Sequence, residues 1–348
     1  MLPLLPLLTL LKHLLPHDGR PGHQPELDGF RGLAVAIVLL AHSSNAGYPL
    51  FGVVDFHHYG SVGVYLFFVL SAYLIDRQII NALEMGQANL GFWIRFALRR
   101  FLRIFPLYLV ALLLNWTLSA RGLPSPIHSA SDVLRHLALL EGRQVFWTIP
   151  VEFLYYILSP LVLALLWPLY RRRPVLAIAV LATALASLWY LRLNHLAMPI
   201  FFRFLPVLGC GTLLALTQRR LYLPGGIGLA LLAMILTTIP TIARLVYGTT
   251  SFHGHSFTFA YGIAWALILY QALNHEIALS ALGRWLPLRA LGALSFSVYL
   301  LHKPVLALAQ HYLPDPWALP AFLAGTLVVS LLTYTFVERP LAQLKFRP

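Results

Sequence analysis

Residues 174–191 read PVLAIAVLATALASLWYL, and this stretch decides the fold class because it contains no charged residue. Eighteen helical residues rise about 27 Å at about 1.5 Å each, which is close to the roughly 30 Å of hydrocarbon in a bilayer. Basic residues flank the run, with Arg173 before it and Arg192 after it. An uncharged run of this length between arginines predicts a transmembrane helix.

The composition extends this prediction to the whole chain. Hydrophobic residues make up 59% of the 348 residues, charged residues only 11%, and the mean hydropathy is +0.75. These values exclude an ordinary soluble domain. The net charge of +13 does not indicate a nucleic-acid-binding protein, because the basic residues fall in the gaps between apolar runs. We therefore expect contact with membrane lipid and no nucleic-acid partner.

Ten such runs predict an all-α integral membrane protein with about ten transmembrane helices. Their limits follow from the positions of charges, Pro and Gly. The predicted spans are 32–51, 61–83, 104–120, 146–169, 174–191, 198–216, 226–246, 257–273, 291–312 and 317–337. Because the count is even, both termini are expected on the same side of the membrane.

The basic residues predict which side this is. About eighteen Lys and Arg residues fall in one set of connections and about seven in the other, and cytoplasmic connections carry the excess. Both termini are therefore predicted to be cytoplasmic.

The chain divides into three predicted parts. Residues 1–26 are interpreted as an interfacial or cytoplasmic segment, 27–340 as the transmembrane domain and 341–348 as a cytoplasmic tail. Cys210 is the only cysteine and lies in an apolar run, so no metal site is expected.

The first predicted span carries a histidine that composition does not explain. His42 follows Arg31 by eleven residues, close to three helical turns, so both side chains project from one face. At about 1.5 Å per residue, His42 is expected roughly 16 Å deeper, near the bilayer midplane. A titratable group there needs a partner or a water-lined cavity. The alternative is a structural histidine hydrogen-bonded between helices, and Asp28 is interpreted as a helix cap.

Two further titratable residues are predicted at a similar depth. Glu152 should lie roughly 10 Å or more below the external surface, where a carboxylate must be paired or protonated. A structural ion pair with Arg203 is the alternative for Glu152. His302 is expected roughly 20 Å inside the ninth span. Because His42, Glu152 and His302 would share one slab of the membrane, the sequence favours a functional site over three structural residues.

A basic segment precedes the third predicted span. Arg100 and Arg103 are three residues apart, so one helical face would present several guanidinium groups at the cytoplasmic interface. Guanidinium groups bind phosphate bidentately, which suits a phosphorylated cytosolic ligand. The alternative is that these arginines only anchor the helix to anionic lipid headgroups.

Six segments of the chain carry a resemblance to a known family. Residues 27–340 resemble the acyltransferase-3 family of integral-membrane O-acyltransferases. Arg31 and His42 match its opening element, an Arg and a His separated by ten residues. The other matching segments are 63–71, 100–106 with its Arg-x-x-Arg element, 147–152 with Tyr156 and Pro160, 291–302 and 337–340.

The sequence departs from the family pattern at two positions. Tyr65 stands where an Asp is frequent, and Ala72 stands where a Gly is frequent. No role for an acidic group is therefore expected at that position of the second span. Sugar-modifying members often carry an additional periplasmic esterase-like (SGNH) domain, which is not expected in this sequence.

The resemblance implies a reaction and a donor. An acyl group, commonly acetyl, would pass from acetyl-CoA or another acyl-CoA to a hydroxyl of a saccharide or glycoconjugate. Arg31, Arg100 and Arg103 are the residues that we expect to hold the CoA phosphates at the cytoplasmic face. The resemblance also implies the inner membrane of a bacterium.

The resemblance also suggests catalytic residues. His42 would act as a general base on the acceptor hydroxyl or as a transient acyl carrier, and the sequence does not separate these roles. Glu152 would orient His42 or contact the sugar hydroxyls. His302 is a weaker catalytic candidate, because a helix-packing role fits it almost as well.

Two other classes of function remain open at this point. A secondary transporter or flippase of a glycolipid or anionic solute would also need buried ionisable groups and basic loops. Such transporters often contain inverted repeats with broken spans, and the sequence shows no such symmetry. A non-catalytic membrane assembly factor is the third interpretation. The acceptor, the acyl chain length and the oligomeric state do not follow from these residues.

Overall fold

The structure is a computed structural model that describes residues 15, 22–194, 198–217, 223–250, 257–274 and 277–344. Helices joined by short loops make up these ranges, and no β-strand occurs within them. The predicted all-α class is therefore confirmed. Most of the predicted N-terminal segment, and half of the predicted tail, lie outside the described residues.

Fifteen helices follow one another along the described ranges. The first eight are α1 (Pro25–Asn45), α2 (Gly60–Glu84), α3 (Leu90–Ala120), α4 (Ala130–Leu137), α5 (Thr148–Arg172), α6 (Pro174–Leu193), α7 (Ile200–Thr217) and α8 (Ile227–Thr237). They continue as α9 (Pro240–Tyr247), α10 (Thr258–Leu273), α11 (Ile277–Arg284), α12 (Leu286–Ala293), α13 (Ser295–Tyr312), α14 (Asp315–Thr333) and α15 (Arg339–Ala342). A 3₁₀ turn, Gln144–Trp147, leads into α5, and a π-helical turn, Tyr334–Glu338, follows α14.

Seven to nine of these segments in the described ranges can cross a membrane by length and composition, which supports the predicted membrane class of about ten spans. Seven are long and apolar enough on their own. Two more count only if bent helix pairs are single spans, namely α8 with α9, bent by 92°, and α12 with α13, bent by 74°. The first bend has a local cause, because Pro240 holds the preceding Ile239 extended, at φ −58° and ψ 131°. The predicted eighth span is the 16-residue α10, which is shorter than the roughly 20 residues required.

Helix α1 is displaced from its predicted limits at both ends. It begins at Pro25, in the first turn where a missing N–H costs nothing, so Gln24 and not Asp28 is the N-cap residue. It ends at Asn45, after which Gly47 adopts the left-handed conformation with φ 92°. His42 therefore lies in the last turn of the helix, whereas the prediction placed it in the middle of a span.

The chain forms two compact units. The first comprises Met1–Ile80 and Leu161–Ser295, and the second comprises Asn81–Pro160 and Phe296–Pro348. Arg31 and His42 belong to the first unit. Arg100, Arg103, Glu152 and His302 belong to the second.

Glycines allow the helices of the first unit to pack backbone against backbone. A Cβ atom on Gly32 would lie 1.9 Å from the carbonyl oxygen of Leu288, and one on Gly292 would lie 1.8 Å from that of Asp28. Since no side chain fits these gaps, α1 and α12 are held in one register, as is common for small residues between membrane helices. This packing fixes the charged N-terminal end of α1 beside α11 and α12.

Aromatic side chains form the core of the second unit. Phe105 of α3 packs edge-on against Phe153 of α5, with ring centroids 5.1 Å apart. Tyr108 lies 5.6 Å from Phe146 and donates its hydroxyl to the carbonyl oxygen of His136, at 3.2 Å. These contacts position the first half of α5 beside α3.

Candidate functional site

A charged cluster surrounds residues 24–28 in the first unit. The carboxylate of Asp28 lies 3.0 Å from His23 Nε2, 3.8 Å from Arg31 Nη1 and 4.0 Å from Arg289 Nη2. Arg31 is therefore held by a carboxylate one turn before it. The motif that predicted Arg31 as a ligand-binding residue thus also contains its ionic partner.

Glu26 is the second carboxylate of this cluster and is almost completely buried. Its Oε1 accepts hydrogen bonds from Nε and Nη2 of Arg284, both at 2.7 Å, and from the hydroxyl of Ser280 at 3.1 Å. Three donated bonds to one buried oxygen make this a well-compensated ion pair. It links the start of α1 to the end of α11.

A third arginine is attached to the same stretch of chain. Arg77 of α2 donates Nη1 to the side-chain oxygen of Gln24 and to the hydroxyl of Tyr73, the latter at 2.7 Å. We call residues His23, Gln24, Glu26, Asp28, Arg31, Arg77, Arg284 and Arg289 the α1 cluster. Three of its members, Arg77, Arg284 and Arg289, entered the sequence analysis only in the count of basic residues between spans.

His42 lies at the opposite end of α1 from this cluster. The helix is continuous between Arg31 and His42, so the two remain on one face, about 16 Å apart along the axis. The imidazole is half-buried, and its Nδ1 atom is inaccessible to solvent. The loop after α1 folds onto this end, because Ser44 accepts a hydrogen bond from the Phe56 amide at 3.0 Å.

In the second unit, the structure brings Arg100 and Glu152 together around Tyr156. The Tyr156 hydroxyl donates to Glu152 Oε2 at 3.0 Å, one turn along α5. The Arg100 guanidinium carbon lies 5.9 Å from the centre of the Tyr156 ring and 5.5 Å from that of Phe96, and Arg100 attracts Glu152 electrostatically. We call Arg100, Tyr156 and Glu152 the α3–α5 cluster.

The structure shows how Arg100 comes close to Glu152. The sequence placed Arg100 on a helical face at the cytoplasmic interface and Glu152 roughly 10 Å or more below the external surface. Helix α3, however, begins at Leu90 and is capped by Asn89, whose side chain accepts from the Phe92 amide at 2.9 Å. Arg100 and Arg103 therefore lie within the helix, and the carboxylate and the guanidinium belong to the same site.

Arg103 lies near a carboxylate that the sequence analysis did not select. Arg103 is exposed and attracts Glu338 electrostatically, while Ser297 donates its hydroxyl to Glu338 Oε1. Thr333 in turn donates to Ser297 at 3.0 Å. Glu338 lies in the π-helical turn, a rare conformation that is frequent at functional sites. The segments 291–302 and 337–340, recognised separately in the sequence, thus meet in the structure.

His302 is fully buried in the middle of α13. Its Nδ1 lies 3.0 Å from the carbonyl oxygen of Val298, which requires that Nδ1 donates its proton within the helix. The ring lies 6.2 Å from that of Tyr299, whose hydroxyl donates to the Val145 carbonyl at 2.9 Å and which interacts electrostatically with Glu152. This backbone bond supports a packing role for His302, and Tyr299 is the residue of α13 that is connected to Glu152.

No group of three or more His, Cys, Asp or Glu side chains in the described ranges is arranged to hold a metal ion. The site is built instead from guanidinium, carboxylate and phenol groups.

With this geometry established, comparison with known proteins identifies the family. The sequence profile of the acyltransferase-3 family, described as an acyltransferase domain, matches residues 24–335, which include the α3–α5 cluster and all of the α1 cluster except His23. This chain belongs to the acyltransferase-3 family. Together with its apolar helices, that membership makes it a multi-pass membrane O-acyltransferase. No solved structure matches the chain significantly.

Several curated acyltransferase-3 relatives are similar over most of this chain. A protein of Komagataeibacter xylinus, named as a candidate membrane-bound transacylase, is 28% identical across 90% of this chain and 82% of its own length. A candidate peptidoglycan O-acetyltransferase of Bacillus subtilis is 26% identical across 93% of this chain. The peptidoglycan O-acetyltransferase of Listeria monocytogenes is 25% identical across 91%. The chain spans 55% of the length of each of the latter two.

Proposed function

We propose that this acyltransferase moves an acyl group, most simply acetyl, from acyl-CoA to a hydroxyl of a saccharide or glycoconjugate. The observation that carries the proposal is the α3–α5 cluster, in which Arg100 and Glu152 share Tyr156. One guanidinium and one carboxylate within one site suit an anionic donor and a hydroxyl acceptor. The names of two relatives, which specify O-acetylation of peptidoglycan, support a saccharide acceptor.

The donor is proposed to bind through its phosphates to Arg100 and Arg103. Both belong to one face of α3, and guanidinium groups form bidentate hydrogen bonds with phosphate. The Phe96 and Tyr156 rings restrict the Arg100 guanidinium, so less freedom is lost when a ligand binds. Arg31 is retained as a third candidate for phosphate binding, with Asp28 orienting its side chain.

His42 is proposed to carry the proton transfer. As a general base it would accept the proton of the acceptor hydroxyl while that oxygen bonds to the thioester carbonyl carbon. The carbon–sulfur bond then breaks, the ester is released, and the proton passes to the departing CoA thiolate. In the acyl-carrier alternative, an imidazole nitrogen bonds to the acyl carbon while the carbon–sulfur bond breaks and CoA leaves as the thiol. The acceptor oxygen then bonds to that carbon, the carbon–nitrogen bond breaks, and the hydroxyl proton passes to the freed imidazole.

Glu152 is proposed to accept a hydrogen bond from an acceptor hydroxyl, with Tyr156 holding its other oxygen. The Tyr156 hydroxyl donates to Glu152 Oε2, so Oε1 is the oxygen proposed to accept from the sugar hydroxyl. His302 is a further catalytic candidate through its Nε2 atom, because its Nδ1 is occupied by the Val298 carbonyl.

The protein is proposed to lie in the inner membrane of a bacterium, with both termini on the cytoplasmic side.

The experiment that tests the function supplies ¹⁴C-acetyl-CoA and a panel of glycans to the purified protein in lipid nanodiscs. The proposal predicts free CoA released in proportion to alkali-labile acetyl ester on a glycan. A transporter or flippase would move solute without releasing CoA, and an assembly factor would do neither. Absence of glycan-dependent CoA release across the panel would refute the proposal.

A further inference from the structure

A cavity of about 320 Å³ lies in the second unit, and the mechanism proposed above does not use it. It is formed by the end of α3, the loop after it, the 3₁₀ turn and the C-terminal half of α13. Its lining residues are Asn115, Pro124, Pro126, Gln144, Lys303, Leu306, Ala307, Gln310 and His311. The volume is at the lower end of the range for small-molecule sites.

Lys303 gives this cavity its charge. The side chain is half-buried, and no carboxylate pairs with it in the part of the chain that the structure describes. None of the nine lining residues is acidic. A cation in a membrane helix without a carboxylate partner is costly and indicates an anionic ligand or a substrate path.

The other polar groups of the cavity suit a hydroxyl-rich ligand. Asn115, Gln144 and Gln310 carry side-chain amides, which both donate and accept hydrogen bonds. Gln144 has φ 47°, a left-handed conformation that is unfavourable for a residue other than glycine. Such conformations persist where the surrounding structure enforces them, and they cluster at binding sites.

Salt bridges and a hydrogen bond of Arg143 stabilise the side of the cavity to which Gln144 belongs. Arg143 pairs with Asp132 at 3.0 Å and with Glu141 at 2.9 Å, and it donates to the carbonyl oxygen of Pro126 at 3.2 Å. Pro126 and Gln144 both line the cavity. These bonds connect the loop that carries Pro126 to the turn that carries Gln144.

The cavity is also connected to Glu152. Val145 follows Gln144, and its carbonyl oxygen accepts the Tyr299 hydroxyl at 2.9 Å. Tyr299 precedes Lys303 by one turn of α13 and interacts electrostatically with Glu152. Tyr299 thus contacts the backbone next to the cavity lining and lies near the carboxylate proposed to bind the acceptor hydroxyl.

We propose that this cavity binds the acceptor and selects a saccharide that carries a carboxylate, which pairs with Lys303. This inference rests on the saccharide acylation proposed above. One ammonium group balances a single negative charge, as in a sugar acid, whereas phosphate sites usually combine several guanidinium or backbone N–H donors. The amides would bind the hydroxyl groups of the same sugar.

The test measures saccharide binding to the full chain in nanodiscs without donor. The probes are a trimer of galacturonic acid and the neutral trimer obtained by reducing its carboxyl groups. Wild-type protein should bind the acidic trimer about tenfold more tightly, which corresponds to about 1.4 kcal/mol. Lys303→Gln should abolish that preference, while Lys303→Arg, which keeps the charge, should retain part of it.

Arg121→Gln is the matched control, since Arg121 follows α3 at the same end but does not line the cavity. It should leave the preference unchanged. Equal binding of the two probes to wild-type protein, or equal losses in Lys303→Gln and Arg121→Gln, would overturn the proposal. So would a Lys303→Gln variant that loses only bound phosphatidylglycerol, because the cavity would then be a lipid site.

CoA release separates this inference from the function on which it rests. If the wild-type protein acetylates acidic and neutral acceptors equally well, the acceptor assignment fails and the acyltransferase assignment stands. If neither acceptor is acetylated but the acidic trimer binds through Lys303, the cavity assignment stands and the proposed reaction fails.

Discussion

The α1 cluster and the α3–α5 cluster both contain arginines and carboxylates, but they are built differently. In the α1 cluster, Glu26 is buried and receives three direct hydrogen bonds from Arg284 and Ser280. In the α3–α5 cluster, a tyrosine hydroxyl contacts the carboxylate, and the arginine lies over aromatic rings. Direct ion pairs of the first kind join helices, whereas we propose that the second arrangement holds both charged groups in position for a ligand.

The largest effect is expected for His42, at the far end of α1 from the α1 cluster. His42→Ala should lower acetyl transfer by about a thousandfold, because a positioned acid–base group contributes about 10² to 10⁴. The protein should still insert and accumulate, as measured by immunoblot of membranes. His57→Ala, which alters an exposed histidine in the following loop, is the control and should stay active. Wild-type turnover in His42→Ala would remove His42 from the chemistry.

The next largest effect is expected on the binding affinity for the acetyl-CoA donor. Replacing both Arg100 and Arg103 by Ala should weaken acetyl-CoA binding by about a hundredfold or more, since hydrogen bonds to charged groups contribute about 1.5–3 kcal/mol each. Calorimetric titration of the nanodisc protein measures this. Arg99→Ala is the matched control, because Arg99 is exposed on the same helix. Unchanged acetyl-CoA affinity in the double variant would mean that both arginines only anchor the helix to anionic lipid headgroups.

A smaller effect is expected from Tyr156→Phe, which removes the hydroxyl and keeps the ring beneath Arg100. Turnover should fall about fivefold through loss of one hydrogen bond to Glu152, with acetyl-CoA affinity unchanged. Steady-state kinetics at varied acceptor concentration measure turnover, and calorimetric titration measures acetyl-CoA affinity. A loss of donor affinity alone would mean that Tyr156 serves Arg100 and not Glu152.

The smallest effect on catalysis is expected in the α1 cluster. Arg284→Ala should destabilise the protein by about 1–2 kcal/mol, because Glu26 loses its charged partner while Arg284 itself is partly exposed. The melting temperature in detergent should fall, and turnover per folded molecule should remain near the wild-type value. A fully stable but inactive variant would place the α1 cluster in the catalytic site.

Much of the fold could be predicted from the sequence, because apolar runs of sufficient length have few other uses. Each predicted span coincides with one helix or one bent pair of helices. The limits were wrong where charged residues continue a helix, as in the arginine-rich start of α3, since arginine has high helix propensity and Asn89 caps the end. The bend at Pro240 was visible in the sequence as a proline within a predicted span.

The site was less predictable, for physical reasons. Depth estimated from the nearest membrane surface separated Arg100 from Glu152, whereas α3 carries Arg100 alongside the residues of α5. Glu338 and Tyr299 lie in segments that match the family but were not selected, because only the meeting of α13 with the π-helical turn reveals the contacts of Glu338. Arg100 and Glu152 could be selected from the sequence because guanidinium and carboxylate groups are costly in apolar segments without a function, and their roles stay predictions.

The most direct test compares Glu152→Gln with Glu26→Gln, measuring labelled acetyl groups transferred per folded molecule. The account predicts that Glu152→Gln folds with normal stability and transfers at least tenfold less acetyl, since its carboxylate serves the acceptor. It predicts that Glu26→Gln melts at a lower temperature and transfers acetyl normally once folded. An active Glu152→Gln beside a stable, inactive Glu26→Gln would contradict the assignment of chemistry to the α3–α5 cluster.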